Sequence, residues 1–132
     1  SPSPFAGGLY AVLGATGATG SSICKRIAAQ GGRLFMVGRD EAALKSLQGT
    51  LASLSPDTST PHLISVCSDA KDAKHIEEAF KTMPKDHGLN GLVYAVGSIT
   101  LKPIKRCTTE DFVESFLLNA VGAAHAVRSC HD

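Results

Sequence analysis

The residues with the clearest chemical potential form a glycine-rich segment near the start of the chain, Gly14-x-x-Gly17-x-x-Gly20. The segment follows the apolar run Leu9–Leu13, which predicts a buried strand, and it precedes a helical pattern. A helix N-terminus exposes unpaired N–H groups and the positive end of the helix dipole, and both attract anions. Glycine lets the backbone turn tightly and approach a phosphate. The segment therefore predicts a pyrophosphate site for a dinucleotide, although many glycine-rich turns exist for steric reasons alone.

The next informative position is the end of the second predicted strand, where Gly38 and Arg39 follow the apolar run 34–37. In NAD-preferring sites an acidic residue near this point binds the ribose 2′-hydroxyl. Gly38 removes a carboxylate that would repel a 2′-phosphate, and the planar Arg39 cation suits one. This favours NADP(H) over NAD(H). The alternative is an exposed Arg39 paired with Asp40, which we assign to capping of the following helix.

These positions belong to a regular alternation of apolar strands and amphipathic helices. Strands are predicted at 9–13, 34–37, 62–67 and within 89–96, and helices after Gly20, over 41–54, over 71–83 and from Thr108 onward. Strands that alternate with helices form a parallel sheet with right-handed crossovers. We therefore predict a doubly wound, three-layer α/β fold of the Rossmann type with strand order 3-2-1-4. We expect residues 1–8 to form a flexible lead-in and residues 9–132 to form a dinucleotide-binding domain.

Composition argues against several classes of protein. A chain of 132 residues with 43% hydrophobic residues and a net charge of +1 fits one folded domain without a nucleic-acid or membrane surface. No apolar run reaches the roughly 20 residues that cross a bilayer. The four cysteines, at 24, 67, 107 and 130, show no metal-ligand spacing. We expect reduced cysteines, no metal, and a cytoplasmic location or, after removal of a leader, an organelle matrix.

Four stretches, in their order and spacing, resemble the short-chain dehydrogenase/reductase family. They are the Gly14–Gly20 turn, Ser68-Asp69-Ala70 after the third strand, Tyr94-Ala95-Val96-Gly97 after the fourth, and Thr108–Phe112 followed by Asn119-Ala120-Val121-Gly122 in the fourth helix. The first turn is closer to the extended and atypical branches of the family, because the common branch has glycine where Ala18 stands. The third stretch resembles the Asn-Asn-Ala-Gly segment of the family, but both asparagines are absent here.

The resemblance implies a cofactor site and one catalytic residue. The implied cofactor-binding residues are Gly14, Thr16, Gly17, Ala18, Thr19, Gly20, Arg39, Asp69, Ala70, Ala95, Val96 and Gly97. In the family the helix asparagine, here Asn119, supports a local helix distortion and a water relay to the active-site lysine. The alternative for Asn119 is a polar residue that makes a structural bond inside a helix.

The resemblance also implies the reaction, a hydride transfer between NADP(H) and a small carbonyl or alcohol substrate. The family's serine and its Tyr-x-x-x-Lys pair would lie beyond the fourth helix, and neither Tyr10 nor Tyr94 has a lysine four residues later. We therefore expect an incomplete domain that ends before the later strands, is inactive alone and belongs to a homo-oligomer when intact. Two alternatives stay open: a non-catalytic dinucleotide-binding module for regulation or sensing, and an assembly domain whose glycine turn binds nothing.

Overall fold

Four parallel strands form the centre of the molecule in the computed structural model, which describes residues 3–86 and 88–131. They are β1 (Leu9–Leu13), β2 (Arg33–Gly38), β3 (Leu63–Val66) and β4 (Gly91–Tyr94). Their order is β3-β2-β1-β4, which confirms the predicted 3-2-1-4 arrangement. The register pairs Leu13 with Val37 on one side and with Tyr94 on the other, so these strands end at a common edge.

Helices follow the strands as the alternation predicts. They are α1 (Ala18–Ala29), α2 (Glu41–Leu54), α3 (Ala73–Phe80), a 3-10 turn at Ile104–Arg106, α4 (Thr109–Phe116), a π turn at Leu117–Val121 and α5 (Gly122–His131). The last three run without a break. The third helix is shorter than predicted at both ends, and at its start the Asp72 carboxylate accepts the Lys74 N–H at 2.9 Å and acts as its cap.

Helices cover both faces of the sheet, which explains why β1 and residues 34–37 of β2 form continuous apolar runs. One face packs through Val12, Leu34 and Met36 against a cluster with Leu44 and Leu51 of α2. The opposite face packs through residues such as Leu13, Phe35 and Val37 against Ile76, Phe80 and Ala126 of α3 and α5. The three layers are those of the predicted doubly wound fold. None of the described helices is long and apolar enough to cross a membrane.

Residues 3–8, the described part of the predicted lead-in, form a turn that contacts the rest of the fold. The Gly7 N–H donates to the Gly31 carbonyl at 3.3 Å, and the Arg33 N–H donates to the Gly8 carbonyl at 2.9 Å. The Phe5 ring lies edge-on to Tyr10, with 5.4 Å between ring centroids. These contacts join the segment to the start of β2 and to Tyr10 near the start of β1.

Candidate functional site

A cleft of about 780 Å³ opens at the carboxyl edge of the sheet. That volume lies within the usual range for small-molecule sites. Most of the predicted cofactor residues line it: Gly14, Thr16, Gly17, Arg39, Asp69, Ala70, Ala95, Val96 and Gly97. The fold brings them together because the strands are parallel and each ends at this edge. Ala18, Thr19 and Gly20 form the first turn of α1 and do not line the cleft, whereas Gly17, the residue at the helix N-terminus, does.

The three glycines of the first turn have different roles. Gly14 has a φ of +75°, and a Cβ there would lie 2.6 Å from the Ala95 carbonyl oxygen. A Cβ on Gly20 would overlap the carbonyl of Gly14. These two glycines therefore allow β1, α1 and the segment after β4 to pack closely. Only Gly17 has room for a side chain, since the nearest atom to its Cβ would be the Gly14 oxygen at 3.4 Å.

The N-terminus of α1 has no side-chain cap, and its cap residue is Gly17. The other long helices that follow strands are capped by the side chains of Asp40, Asp72 and Thr108, the last in a reciprocal capping box with Asp111. A side-chain cap would accept first-turn N–H groups that α1 instead leaves available. The N-terminus of α1, at Gly17 in the cleft lining, is therefore open to an anionic group.

Arg39 is exposed at the end of β2, and it forms no ion pair with any residue of the described ranges. The neighbouring Asp40 carboxylate accepts the N–H groups of Ala42 and Ala43 at 3.0 and 3.2 Å. Asp40 is thus the cap predicted from the sequence. The alternative in which Arg39 pairs with Asp40 is not observed. The Arg39 guanidinium is left for another partner.

Asp69 shapes the loop after β3. Its carboxylate accepts the Lys71 N–H at 2.9 Å and its carbonyl accepts the Asp72 N–H at 3.1 Å. The Lys71 ammonium lies 3.9 Å from the Glu114 carboxylate on α4, and both residues line the cleft. Sequence reasoning missed this pair, because the two residues lie far apart in the chain and neither belongs to a motif.

Cys67 lies at the floor of the cleft and is buried. Burial raises the pKa of its thiol above the usual 9.0. The thiol therefore stays protonated near neutral pH and is a poor nucleophile. None of the described residues form a group of three or more potential metal ligands.

Asn119 lies in the π turn rather than in the cleft wall. Its side-chain oxygen accepts the Ser98 N–H at 3.0 Å, and its amide nitrogen donates to the Ser98 carbonyl at 3.1 Å. The same nitrogen donates to the Ser115 hydroxyl at 3.2 Å. Asn119 thus ties the helix to the chain just after Gly97. A helix distortion is present at this asparagine, as the resemblance implies.

Residues 9–132 match the short chain dehydrogenase family. The chain belongs to the short-chain dehydrogenase/reductase family. The chain is therefore part of an oxidoreductase-family protein, and members of this family use an NAD(P) cofactor. This family region includes every residue that lines the cleft.

Several solved structures share the fold of this chain. An L-sorbose reductase from Gluconobacter frateurii, complexed with NADPH and L-sorbose, superposes with a TM-score of 0.87 at 16% identity over 99% of this chain and 49% of that one. A short-chain type dehydrogenase/reductase from Mycobacterium ulcerans gives 0.84 at 20% identity over 96% and 46%. A dehydrogenase/reductase from Sinorhizobium meliloti 1021 gives 0.83 at 24% identity over 96% and 49%. The chain spans about half the length of these structures. The search of curated proteins gave no match.

Proposed function

We propose that the cleft binds NADP(H) and that the natural protein transfers a hydride between this cofactor and a small carbonyl or alcohol substrate. The observation that carries the proposal is the uncapped N-terminus of α1, which begins at Gly17 in the lining of the same cleft as Arg39, a residue with no ion pair in the described ranges. The first supplies N–H donors for a diphosphate, and the second supplies a cation for a 2′-phosphate. A cleft with both features suits a phosphorylated dinucleotide.

Different residues of the cleft bind different parts of the cofactor. Gly17 and the N–H groups of the first turn of α1 hold the pyrophosphate, and Arg39 holds the 2′-phosphate. Asp69 and Ala70, after β3, lie on the adenine side. The segment Ala95–Gly97, after β4, lines the ribose side. When bound, the cofactor supplies the hydride or accepts it, and these residues orient it and shield it from water.

Asn119 is proposed as the contribution of this region to the active site. Its side-chain amide is fully engaged with Ser98 and Ser115. It therefore holds the ribose-side wall in place and fixes the direction of the π turn. In the natural protein it supports the catalytic groups from there.

The variant Gly17→Asp tests the pyrophosphate site. An aspartate is a favourable cap, so it should keep or raise the melting temperature while it occupies the N–H groups of the first turn and repels a diphosphate. Calorimetric titration should show that both NADPH and NADH bind at least about tenfold more weakly, as expected for the loss of charge-assisted hydrogen bonds. Gly49→Asp is the matched control, because Gly49 is exposed on α2 with open space at its Cβ.

Two results would overturn the proposed binding site. One is the absence of any heat from the wild-type chain with either dinucleotide. The other is unchanged affinity in Gly17→Asp. The oxidoreductase activity is tested by NADPH consumption in the presence of a panel of aldehydes and ketones, with the natural protein isolated from its source. Binding without turnover there would assign the protein to the non-catalytic dinucleotide-binding modules.

A further inference from the structure

Tyr94 occupies the position of the first asparagine in the Asn-Asn-Ala-Gly resemblance, and its side chain makes a different connection. It ends β4 and pairs in register with Leu13 of β1. Its hydroxyl donates to the carbonyl of Leu118 at 2.5 Å. Burial raises the pKa of this hydroxyl, so it stays protonated and keeps its role as a donor. The bond joins the end of the strand to the residue directly before Asn119.

The hydroxyl fits against the helix because Gly122 lacks a side chain. A Cβ on Gly122 would overlap the Tyr94 hydroxyl and would lie 2.8 Å from the Ala70 carbonyl oxygen. The Gly122 N–H donates to the Leu117 carbonyl, five residues earlier, and this bond defines the π turn. Tyr94 therefore packs against the π turn at Gly122. This contact also lies beside Ala70, on the adenine side of the cleft.

A second connection joins the same two parts of the chain. The Asn119 amide exchanges two hydrogen bonds with the backbone of Ser98. Tyr94 and Ser98 are thus fastened to adjacent helix positions, Leu118 and Asn119. The segment between them, 95–97, lines the cleft. On the strand side, the Ala95 N–H donates to the Leu13 carbonyl at 2.9 Å.

We infer that the Tyr94 hydroxyl is a positioning group that, with Asn119, holds the ribose-side wall of the cofactor cleft at two points. It acts through the Leu118 carbonyl and does not touch a ligand itself. The wall is a short segment after a strand end, half-buried at Ala95 and Val96 and exposed at Gly97. Without the Tyr94 bond it is held by the Ala95 bond to Leu13 at one end and by Asn119 at the other. The consequence for cofactor affinity rests on the proposed function, whereas the consequence for the wall itself does not.

The test is Tyr94→Phe, which removes one oxygen and keeps the ring in the core. Hydrogen exchange measured by NMR on the ligand-free chain should show faster exchange of the Ser98 amide, by roughly tenfold, while the amide of Phe35 keeps its protection. Tyr10→Phe is the matched control. Tyr10 is the other tyrosine of the chain, is half-buried in β1, and its hydroxyl makes no hydrogen bond to any residue in the described ranges.

Cofactor titration gives a second readout. NADPH and NADH should both bind about three- to tenfold more weakly to Tyr94→Phe, by equal factors, because they share the ribose that lies along the wall. Combining Tyr94→Phe with Asn119→Ala should give a loss that differs from the product of the single effects, since both groups fix one segment.

Three outcomes would overturn the inference. They are unchanged Ser98 exchange in Tyr94→Phe, an equal rise in exchange at Phe35 and throughout β1 and β2, and the same Ser98 effect from Tyr10→Phe. The failure of the proposed function looks different. If no dinucleotide binds to the wild-type chain, the Ser98 exchange still decides the role of Tyr94.

Discussion

Replacing Arg39 by alanine should weaken NADPH binding and leave NADH binding almost unchanged. Hydrogen bonds to charged groups contribute roughly 1.5–3 kcal/mol, whereas exposed ion pairs contribute about 0.2–1 kcal/mol. Arg39 lies between these cases, because it is exposed yet lines the cleft. It also breaks no ion pair on binding, since it has none within the described ranges. We therefore expect a loss of about 1–2 kcal/mol, or roughly 5- to 30-fold in affinity.

Calorimetric titration of wild type and Arg39→Ala with NADPH and NADH measures this difference directly. The same titrations at low and high potassium chloride give an independent check. The preference of the wild type for NADPH should shrink as salt rises, because the contact between the guanidinium and the phosphate is exposed to solvent. The variant should bind the two cofactors with similar affinity at every salt concentration.

Arg26→Ala is the control for the loss of a surface arginine. Arg26 is exposed in the last turn of α1 and does not line the cleft. It should leave both affinities unchanged. An equal loss of NADPH and NADH binding in Arg39→Ala would show that the residue supports the fold of the strand end and does not read the 2′-phosphate. No loss of either would place that phosphate elsewhere.

Two further predictions concern stability. His62 is buried, its Nδ1 accepts the Leu34 N–H at 3.1 Å, and burial and the charge of Arg33 lower its pKa below the usual 6.5. The unfolded chain therefore binds more protons, and the free energy of unfolding should fall as pH drops below about 6.5. Urea unfolding from about pH 7 to 5 should show this fall, and a pH dependence that is as steep in His62→Gln as in the wild type would contradict it. Gly14→Ala should destabilise the fold by at least about 1–3 kcal/mol because of its positive φ and the Ala95 carbonyl, and a wild-type melting temperature would refute this.

Much of the fold follows from local patterns that packing does not override. The apolar runs of β1 and β2 are continuous because helices cover both faces, and the Asp40 cap fixes the start of α2 as predicted. The cleft follows in turn, because parallel strands place the residues after their ends at one edge. Those residues could be chosen from the sequence by their position after each strand.

The sequence was less informative where one residue has two possible roles. The spacing of Gly14, Gly17 and Gly20 does not show which of them has room for a Cβ. In the structure only Gly17 of the three does, because the other two face carbonyl groups of Ala95 and Gly14. Such close approaches depend on how α1 sits on the sheet, which the spacing alone does not contain. The ion pair of Lys71 with Glu114 depends likewise on a tertiary contact between a loop and α4.

Tyr94 shows why a missing motif residue is weak evidence of a missing site. From the sequence, the absence of both asparagines before Val96 makes the third landmark look incomplete. In the structure a hydroxyl at position 94 reaches the Leu118 carbonyl, and Gly122 gives it the space. In this chain the hydroxyl is the donor that joins the strand end to the helix. The bond of Tyr94 depends on the absence of a side chain at Gly122, so the two residues have to be considered together when this part of the motif is compared with the family pattern.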